Sequence, residues 1–500
     1  MFKQQQGKKV TLYEAPPSSN FMDSSGGDFD KVDMILESPL YQHQSTEFVS
    51  SRVLGTLSVV AITYMLSTGG PIGSEPVIAA AGPLIGMAGF VVYPLLVVIP
   101  YACLIAELCS AFPEDGGFTV WVMNAFGPFW GFQVGYWSWV SGVFNNALLP
   151  GVLVKLVTDF FDVKIASGAV AYVIKAAVAI MLTVPAFAGA RKVAKLSIGL
   201  CAIVFLCFLL FTIWAYSVAV DFDDLFEIRH TVTKYNPVTK DAELSGPIDI
   251  DWKTYVNTIF WNYDGIIMLS VFGGQVLNPA RVYPRAILFT VLIMMASFII
   301  PMPAGLTSDD LHWSVLTNDA YPLIAKDVGG RFLQAVIVVA AMCSTAGMYI
   351  ASMYAKSFQL SGMAENALVP SLLANKSARF DAPHNSLVLM LALTLPLLSI
   401  EYANLLPITN AFSAAVQLIV IAAAFTLRVK LPYIARPTKV PGGKFVVLLL
   451  AVLPAAILSY ILYHAFTLPF TGLVIGIALV PGLLFGGWQF VRHRNATMRW

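Results

Sequence analysis

The stretch from Tyr255 to Pro279, YVNTIFWNYDGIIMLSVFGGQVLNP, constrains the fold more than any other part of the chain. It is long and apolar enough to cross a bilayer. Yet Asn262, Asp264 and Gly265 sit together near its middle. An aspartate at that depth costs roughly 2.5–3.5 kcal/mol on insertion scales, and Gly265 is a weak helix former. A membrane helix that breaks exposes N–H and C=O groups, which persist only where they line protein or a watery cavity. The stretch therefore reads as a discontinuous helix carrying half of a binding site.

The composition agrees. Of 500 residues, 57% are hydrophobic and 12% charged, against about 25% charged in a soluble domain. This is the make-up of a multi-pass membrane protein with the lipid bilayer as its surroundings, and not of an enzyme or a nucleic-acid binder. The five cysteines, Cys103, Cys109, Cys201, Cys207 and Cys343, fall in apolar stretches and read as small core residues. They offer no disulfide framework and no metal-ligand spacing, and no cofactor is expected.

Residues 1–48 read as a disordered cytosolic tail: they hold a QQQ run, a KK pair and several Ser and Asp. Residues 49–491 hold twelve expected transmembrane helices, and 492–500 form a short cytosolic tail. The first expected span is Val53–Ala81, the sixth Tyr255–Val276, the eighth Phe332–Leu360 and the last Leu468–Val491; only Glu401 and Tyr402 separate the ninth from the tenth. Arg191, Lys192 and Lys195 follow span four, Arg281 and Arg285 follow span six, and Arg428, Lys430, Arg436, Lys439 and Lys444 follow span ten. With twelve spans, these basic residues all lie on the side of the termini, so both termini are expected in the cytosol.

Span one carries a second break, Ser67-Thr68-Gly69-Gly70-Pro71-Ile72-Gly73-Ser74-Glu75. Three glycines and a proline forbid a continuous helix there. Spans one and six each open a five-helix block. Interrupted spans at matching positions in two halves point to a 5+5 inverted repeat with the substrate between them. The expected repeats are 53–220 and 255–427, with two extra helices over 445–491.

Four stretches carry a family resemblance: GGPIGSE (69–75), AELCSAFPEDGGFTVWV (106–122), GPFWGFQVGYWSWVSGVFNNAL (127–148) and FWN…GGQVLNPARVYPRA (260–286). In combination they resemble the amino acid–polyamine–organocation superfamily, and within it the polyamine-uptake branch of plants and protozoan parasites. The resemblance implies an all-α, leucine-transporter-like fold and a secondary carrier that works by alternating access, usually driven by a coupling proton. It implies import of a polyamine such as putrescine, with plasma membrane as the expected location. The chain departs from that branch in three places. Ile266-Ile267 stand where a Trp-Asp pair is usual, Gln275 where Glu is usual, and Asn145-Asn146-Ala147-Leu148-Leu149-Pro150 where Asp-Asn-Ala-Leu-Tyr-Pro is common. Carboxylates and a tyrosine are thus absent from positions that could meet a polyamine, and an amino acid permease stays open as the alternative.

The candidate site residues follow. Asp264 needs a counter-charge, supplied either by an incoming ammonium or by a gate arginine such as Arg428. Asn262 offers amide donors and an acceptor to an amine, or caps the broken helix. Gly69, Gly70, Ile72 and Gly73 form the first break. Glu75 suits a helix's first turn. In carriers of the resembled fold, the freed N–H groups there bind a substrate carboxylate, which Glu75 would displace. Trp261, Phe260, Trp137, Trp139 and Phe425 are wall candidates, with core packing as the competing role. Asn145 and Asn146 match the branch's substrate-facing positions. Ser344 and Thr345 sit where sodium-dependent relatives place hydroxyls, and small residues also simply allow close packing. Lys195 either takes the place of that sodium, as in some proton-coupled relatives, or anchors its helix on the cytosolic side.

Overall fold

The computed structural model describes residues 52–497 except 166, 220–221, 237–238, 240, 308–311, 318–319, 378 and 401, and leaves out the side chains of 402–404 and 492–497. The expected tail over 1–48 therefore lies outside the described residues. The chain is mostly helical. Nine helices among the described residues are long and apolar enough to cross a membrane.

In chain order, α1 (Thr56–Ser67) and α2 (Glu75–Ala81) flank the first break. Next come α3 (Pro83–Ala111), α4 (Phe118–Phe126), α5 (Pro128–Phe161), α6 (Gly168–Ala188) and α7 (Ala190–Val218). After a hairpin, α8 (Trp252–Tyr263) leads to the second break. The chain continues with α9 (Pro279–Leu306), α10 (Ala320–Glu365), α11 (His384–Leu397), α12 (Tyr402–Lys430), α13 (Gly443–Thr467) and α14 (Pro469–Thr497). Pro128 and Pro469 open their helices, where a missing N–H costs nothing. The last helix runs into the region expected to be a tail.

Three expected spans are not long helices. The first is split into α1 and α2. The sixth is α8 followed by two 3-10 turns, Ile266–Val271 and Gly273–Gln275. The ninth is the 14-residue α11, about 21 Å at 1.5 Å per residue against a hydrocarbon core of about 30 Å. The ninth and tenth are separate, as expected.

The all-α expectation is corrected on one point. The polar loop after α7 forms an antiparallel hairpin, β1 (His230–Asn236) with β2 (Asp241–Ile248). Alternation of Thr, Val, Lys and Tyr in HTVTKYN is a strand pattern that the charge of the loop obscured. Below it, Glu227 accepts hydrogen bonds from the Trp313 indole at 2.5 Å and from His312 at 3.3 Å. Partial burial would raise the Glu227 carboxyl, but these two donors outweigh it and hold it below its usual range.

One end of the bundle is knitted by ion pairs. Glu107, near the end of α3, accepts from Arg428 Nε at 2.8 Å and from Val440 N at 2.9 Å, and also meets Arg428 Nη2. Arg436 Nε approaches the same carboxylate at 3.2 Å. Nearby, Lys376 pairs with both Asp115 and Glu365 at 2.9 Å. Burial alone would push the Lys376 ammonium down; the two carboxylates outweigh it and hold it well above its ordinary value. Short α4 is largely buried, with Phe118 to Val122 inside. It thus packs within the bundle.

Glu107→Gln leaves Arg428 and Arg436 short of their buried counter-charge. The expected loss is on the order of 3–5 kcal/mol. It should appear as a clearly lowered thermal midpoint of the detergent-purified protein relative to the parent.

Candidate functional site

The two breaks meet. Asn262 Nδ2, on the last turn of α8, donates to Gly73 O at 3.1 Å and to Thr258 O at 2.9 Å. At the first break Gly69 has φ +63°; a Cβ there would stand 2.8 Å from Met348 Cγ and 2.9 Å from Ser344 Oγ on α10. At the second, Gly265 has φ +102°, and a Cβ would press on Leu66 O and Ser67 Oγ at 3.0 Å. Both positions need glycine for the backbone turn and for the close approach. The Trp261 ring lies over Gly73, 2.8 Å from where a Cβ would be.

Beside the breaks lies a cavity of about 60 Å³, walled by α1, α5, α10, α12 and the second break. At about 10–15 Å³ per enclosed water it has room for a handful of small groups. Asp264 lines it, together with Trp261, Asn145, Ser141 and Ser413. Asp264 Oδ1 accepts from Gly265 N at 2.7 Å and from Gln417 Nε2 at 2.8 Å; Oδ2 accepts from Ser413 Oγ at 2.5 Å. Each of these donors is neutral. A smaller cavity of about 20 Å³ touches the other side of Asp264, walled by Phe260, Tyr101 and Gln417 among others.

A second charge faces the larger cavity. Lys356 of α10 is only 7% exposed. Its Nζ donates to Ser138 O at 2.6 Å and Ser138 Oγ at 2.7 Å, and lies 3.3 Å from Met268 Sδ. The stem rests on Gly142, where a Cβ would be 2.6 Å from Lys356 Cε.

The structure sorts the sequence candidates. Asp264, Trp261 and Asn145 line the cavity, and Gly69, Gly70, Ile72, Gly73 and Asn262 build the breaks beside it. Asn146 points elsewhere, donating to Met353 Sδ at 3.1 Å. Glu75 is fully buried but turns back on its own break: Oε2 accepts from Gly73 N at 2.6 Å and Oε1 from Tyr321 N at 3.4 Å. It does not line the cavity. Ser344 packs against Gly69 and Gly70.

Three expectations are corrected. Arg428 serves Glu107 and not Asp264, because it sits at the far end of α12, more than two turns from Gln417. Phe425 is 38% exposed and does not wall the site; its face of α12 looks outward. Lys195 is exposed on the second turn of α7, whereas Ser344 is buried.

The sequence reading missed Lys356, Ser413 and Gln417. Lys356 fell near the end of an expected span closing at Leu360, where a lysine reads as a snorkelling end residue. The helix in fact continues to Glu365, which sets Lys356 deeper. The unbroken helical run KSFQLSGMAE was the available signal.

Interrupted helices that meet at an enclosed, charged cavity inside a bundle of apolar helices are the parts of a membrane carrier. Comparison with known proteins agrees. The amino acid permease family matches residues 54–481. Polyamine transporter PUT1 of Oryza sativa subsp. japonica is 30% identical over 456 residues, spanning 87% of this chain and 79% of that protein. A probable polyamine transporter of Arabidopsis thaliana is 31% identical over 436 residues, 86% of each chain. Polyamine transporter RMV1 of Arabidopsis thaliana is 30% identical over 442 residues, 86% of this chain and 85% of its own length. The protein is a multi-pass membrane transporter and not an enzyme. It belongs to the amino acid permease family, within the amino acid–polyamine–organocation superfamily.

Gly69→Val should insert and reach the membrane yet fail to transport, since both the φ of +63° and the contacts with Met348 and Ser344 exclude a branched side chain. Surface biotinylation at parent level with uptake near background is the expected pair of results.

Proposed function

We propose that the protein is a secondary active importer of polyamines such as putrescine, working by alternating access in the plasma membrane with both termini in the cytosol. The reading rests on one observation: Asp264 presents a carboxylate to an enclosed cavity, and every hydrogen-bond donor to it among the described residues is neutral. A buried carboxylate calls for an opposite charge in contact with it; Lys356 shares the cavity but is bonded to Ser138 and not to Asp264, and a substrate ammonium supplies that contact. Trp261, beside it, offers a ring face to the same cation. The names of the plant relatives support the polyamine class. Glu75 supports it from another side, since it occupies the Gly73 N–H that a substrate α-carboxylate would use.

On this reading the nine long helices, the two interrupted segments and α11 together make twelve crossings, in two inverted repeats over 53–220 and 255–427 with 445–491 appended. Gly69, Gly70, Ile72, Gly73 and Asn262 shape the site, and Asn145 contributes a polar wall. The Glu107–Arg428 pair is a gate element on the cytosolic face. A proton drives uptake. An amino acid is the second substrate class, favoured by the presence of Lys356 on the same cavity.

Asp264→Asn keeps the shape and removes the charge. Initial putrescine uptake at matched surface expression should fall by the equivalent of about 2–5 kcal/mol, which is thirtyfold or more; unchanged uptake would falsify the anchoring role. In the parent, uptake should rise as the external medium is acidified and persist when choline replaces sodium. Uptake that requires sodium and ignores a pH gradient contradicts proton coupling.

A further inference from the structure

The larger cavity holds two opposite charges that do not neutralise each other directly. Asp264 is held by Gly265 N, Ser413 and Gln417; Lys356 is held by the carbonyl and hydroxyl of Ser138. An ammonium has three protons to give. Two of them meet oxygens here, while the third direction meets only Met268 Sδ at 3.3 Å, a weak acceptor. Ser138 is itself fixed from behind, its Oγ lying 3.2 Å from Gln359 Oε1, while Gln359 donates to Gly135 O at 2.7 Å. The lysine head is therefore positioned by a framework on α5 and α10, with one poorly satisfied direction on the cavity side.

Charges desolvated in one enclosure and held apart by neutral dipoles are costly, and a ligand that carries both complementary charges relieves both at once. A second ammonium, by contrast, meets its like in Lys356. We infer that Lys356 is a specificity-determining residue of this site. It accepts a carboxylate at the end of the substrate remote from Asp264, so that the cavity takes short ω-amino acids alongside diamines and binds them more tightly than an amine of equal length without the acid. The inference rests on the anchoring of an ammonium by Asp264 proposed above. It separates two kinds of amino acid. An α-carboxylate would have to sit at the first break, where Glu75 already takes the Gly73 N–H. A carboxylate several bonds from the amine avoids that place and reaches Lys356.

Three ligands of matched length isolate the effect: putrescine, 4-aminobutyrate and 1-butylamine share one amine and differ only at the far end. Their half-saturating concentrations are read from ligand-induced thermal stabilisation of the full chain purified in detergent, and uptake of each is measured in proteoliposomes. In the parent, 4-aminobutyrate should saturate at a concentration at least about tenfold below that of butylamine. In Lys356→Met, which keeps the apolar stem, that preference should vanish, and putrescine should gain at least about tenfold over its parent value through loss of the like charge. The parent comparison decides even where the variant does not fold. Equal saturation by 4-aminobutyrate and butylamine in the parent overturns the assignment, as does a preference that survives in Lys356→Met or stabilisation by none of the three ligands. Stabilisation in the expected order with no uptake of any ligand would leave the assignment standing and overturn the transport reading alone.

Discussion

Everything at the centre of this protein depends on satisfying the backbone groups that the two helix breaks release. In a bilayer each unsatisfied group costs several kcal/mol, so an interruption is tolerable only when neighbouring atoms replace the lost helical bonds. The replacements are local and specific. Thr68 and Gly69 N–H both reach Tyr64 O, Thr68 Oγ1 donates to Gly70 O at 2.5 Å, and Ser74 Oγ donates to Pro71 O at 2.5 Å. Gly73 is served on both sides, its N–H by Glu75 and its carbonyl by Asn262. That last bond makes the breaks mutually dependent, because the side chain that terminates α8 satisfies the backbone between α1 and α2.

The same constraint separates two acids that look equivalent in sequence. Glu75 stands at the start of α2, and its carboxylate turns back to accept from Gly73 N in the break and from Tyr321 N on α10. Asp264 stands just past the end of α8, with the backbone extended and only the short 3-10 turn Ile266–Val271 following it. One oxygen takes Gly265 N, but the carboxylate still faces the cavity. Position relative to helix direction, more than depth or neighbouring composition, decides which acid is spent on structure and which is open to a ligand. One carboxylate and one ammonium, Asp264 and Lys356, therefore face the cavity.

Much of this was legible in the sequence. Both breaks were readable, because glycine, proline and aspartate inside an apolar span have few other physical outcomes. That the two breaks lie together followed from pairing the interrupted spans, whereas the bond from Asn262 to Gly73 O shows only in the structure. What escaped notice depended on tertiary distance. Arg428 and Asp264 are both charges in apolar segments, and nothing in their spacing says that Glu107, some 320 positions away in sequence, is the arginine's partner. Lys356 escaped for a related reason: an estimate of span length placed it near a helix end, and only the continuation of α10 shows it to be interior. The β1–β2 hairpin escaped because the acidic character of its loop dominated a short alternating pattern.

The ends of the interrupted segments link the cavity to the ion-paired face. Val53 and Leu54 N–H donate to Gln275 O at 2.8 and 2.9 Å, Leu277 N–H returns to Leu54 O at 2.9 Å, and Gly274 N–H donates to Asp115 Oδ1 at 2.9 Å. The chain entering α1 and the chain leaving the second break are thus zipped together, and Asp115 of that zipper is itself paired with Lys376. Opening this face means parting bonds worth about 0.5–1.5 kcal/mol each in net terms. The sum is a few kcal/mol, which is of the order that one desolvated charge contact supplies. A ligand shifts such an equilibrium only by the difference between its affinities for the two states. Asp264 and Gly265 lie on the chain that runs into this zipper and Lys356 on α10, so a substrate that bridges them contacts both sides of the joint. One that touches Asp264 alone contacts a single side, and its binding energy bears less on whether the face opens.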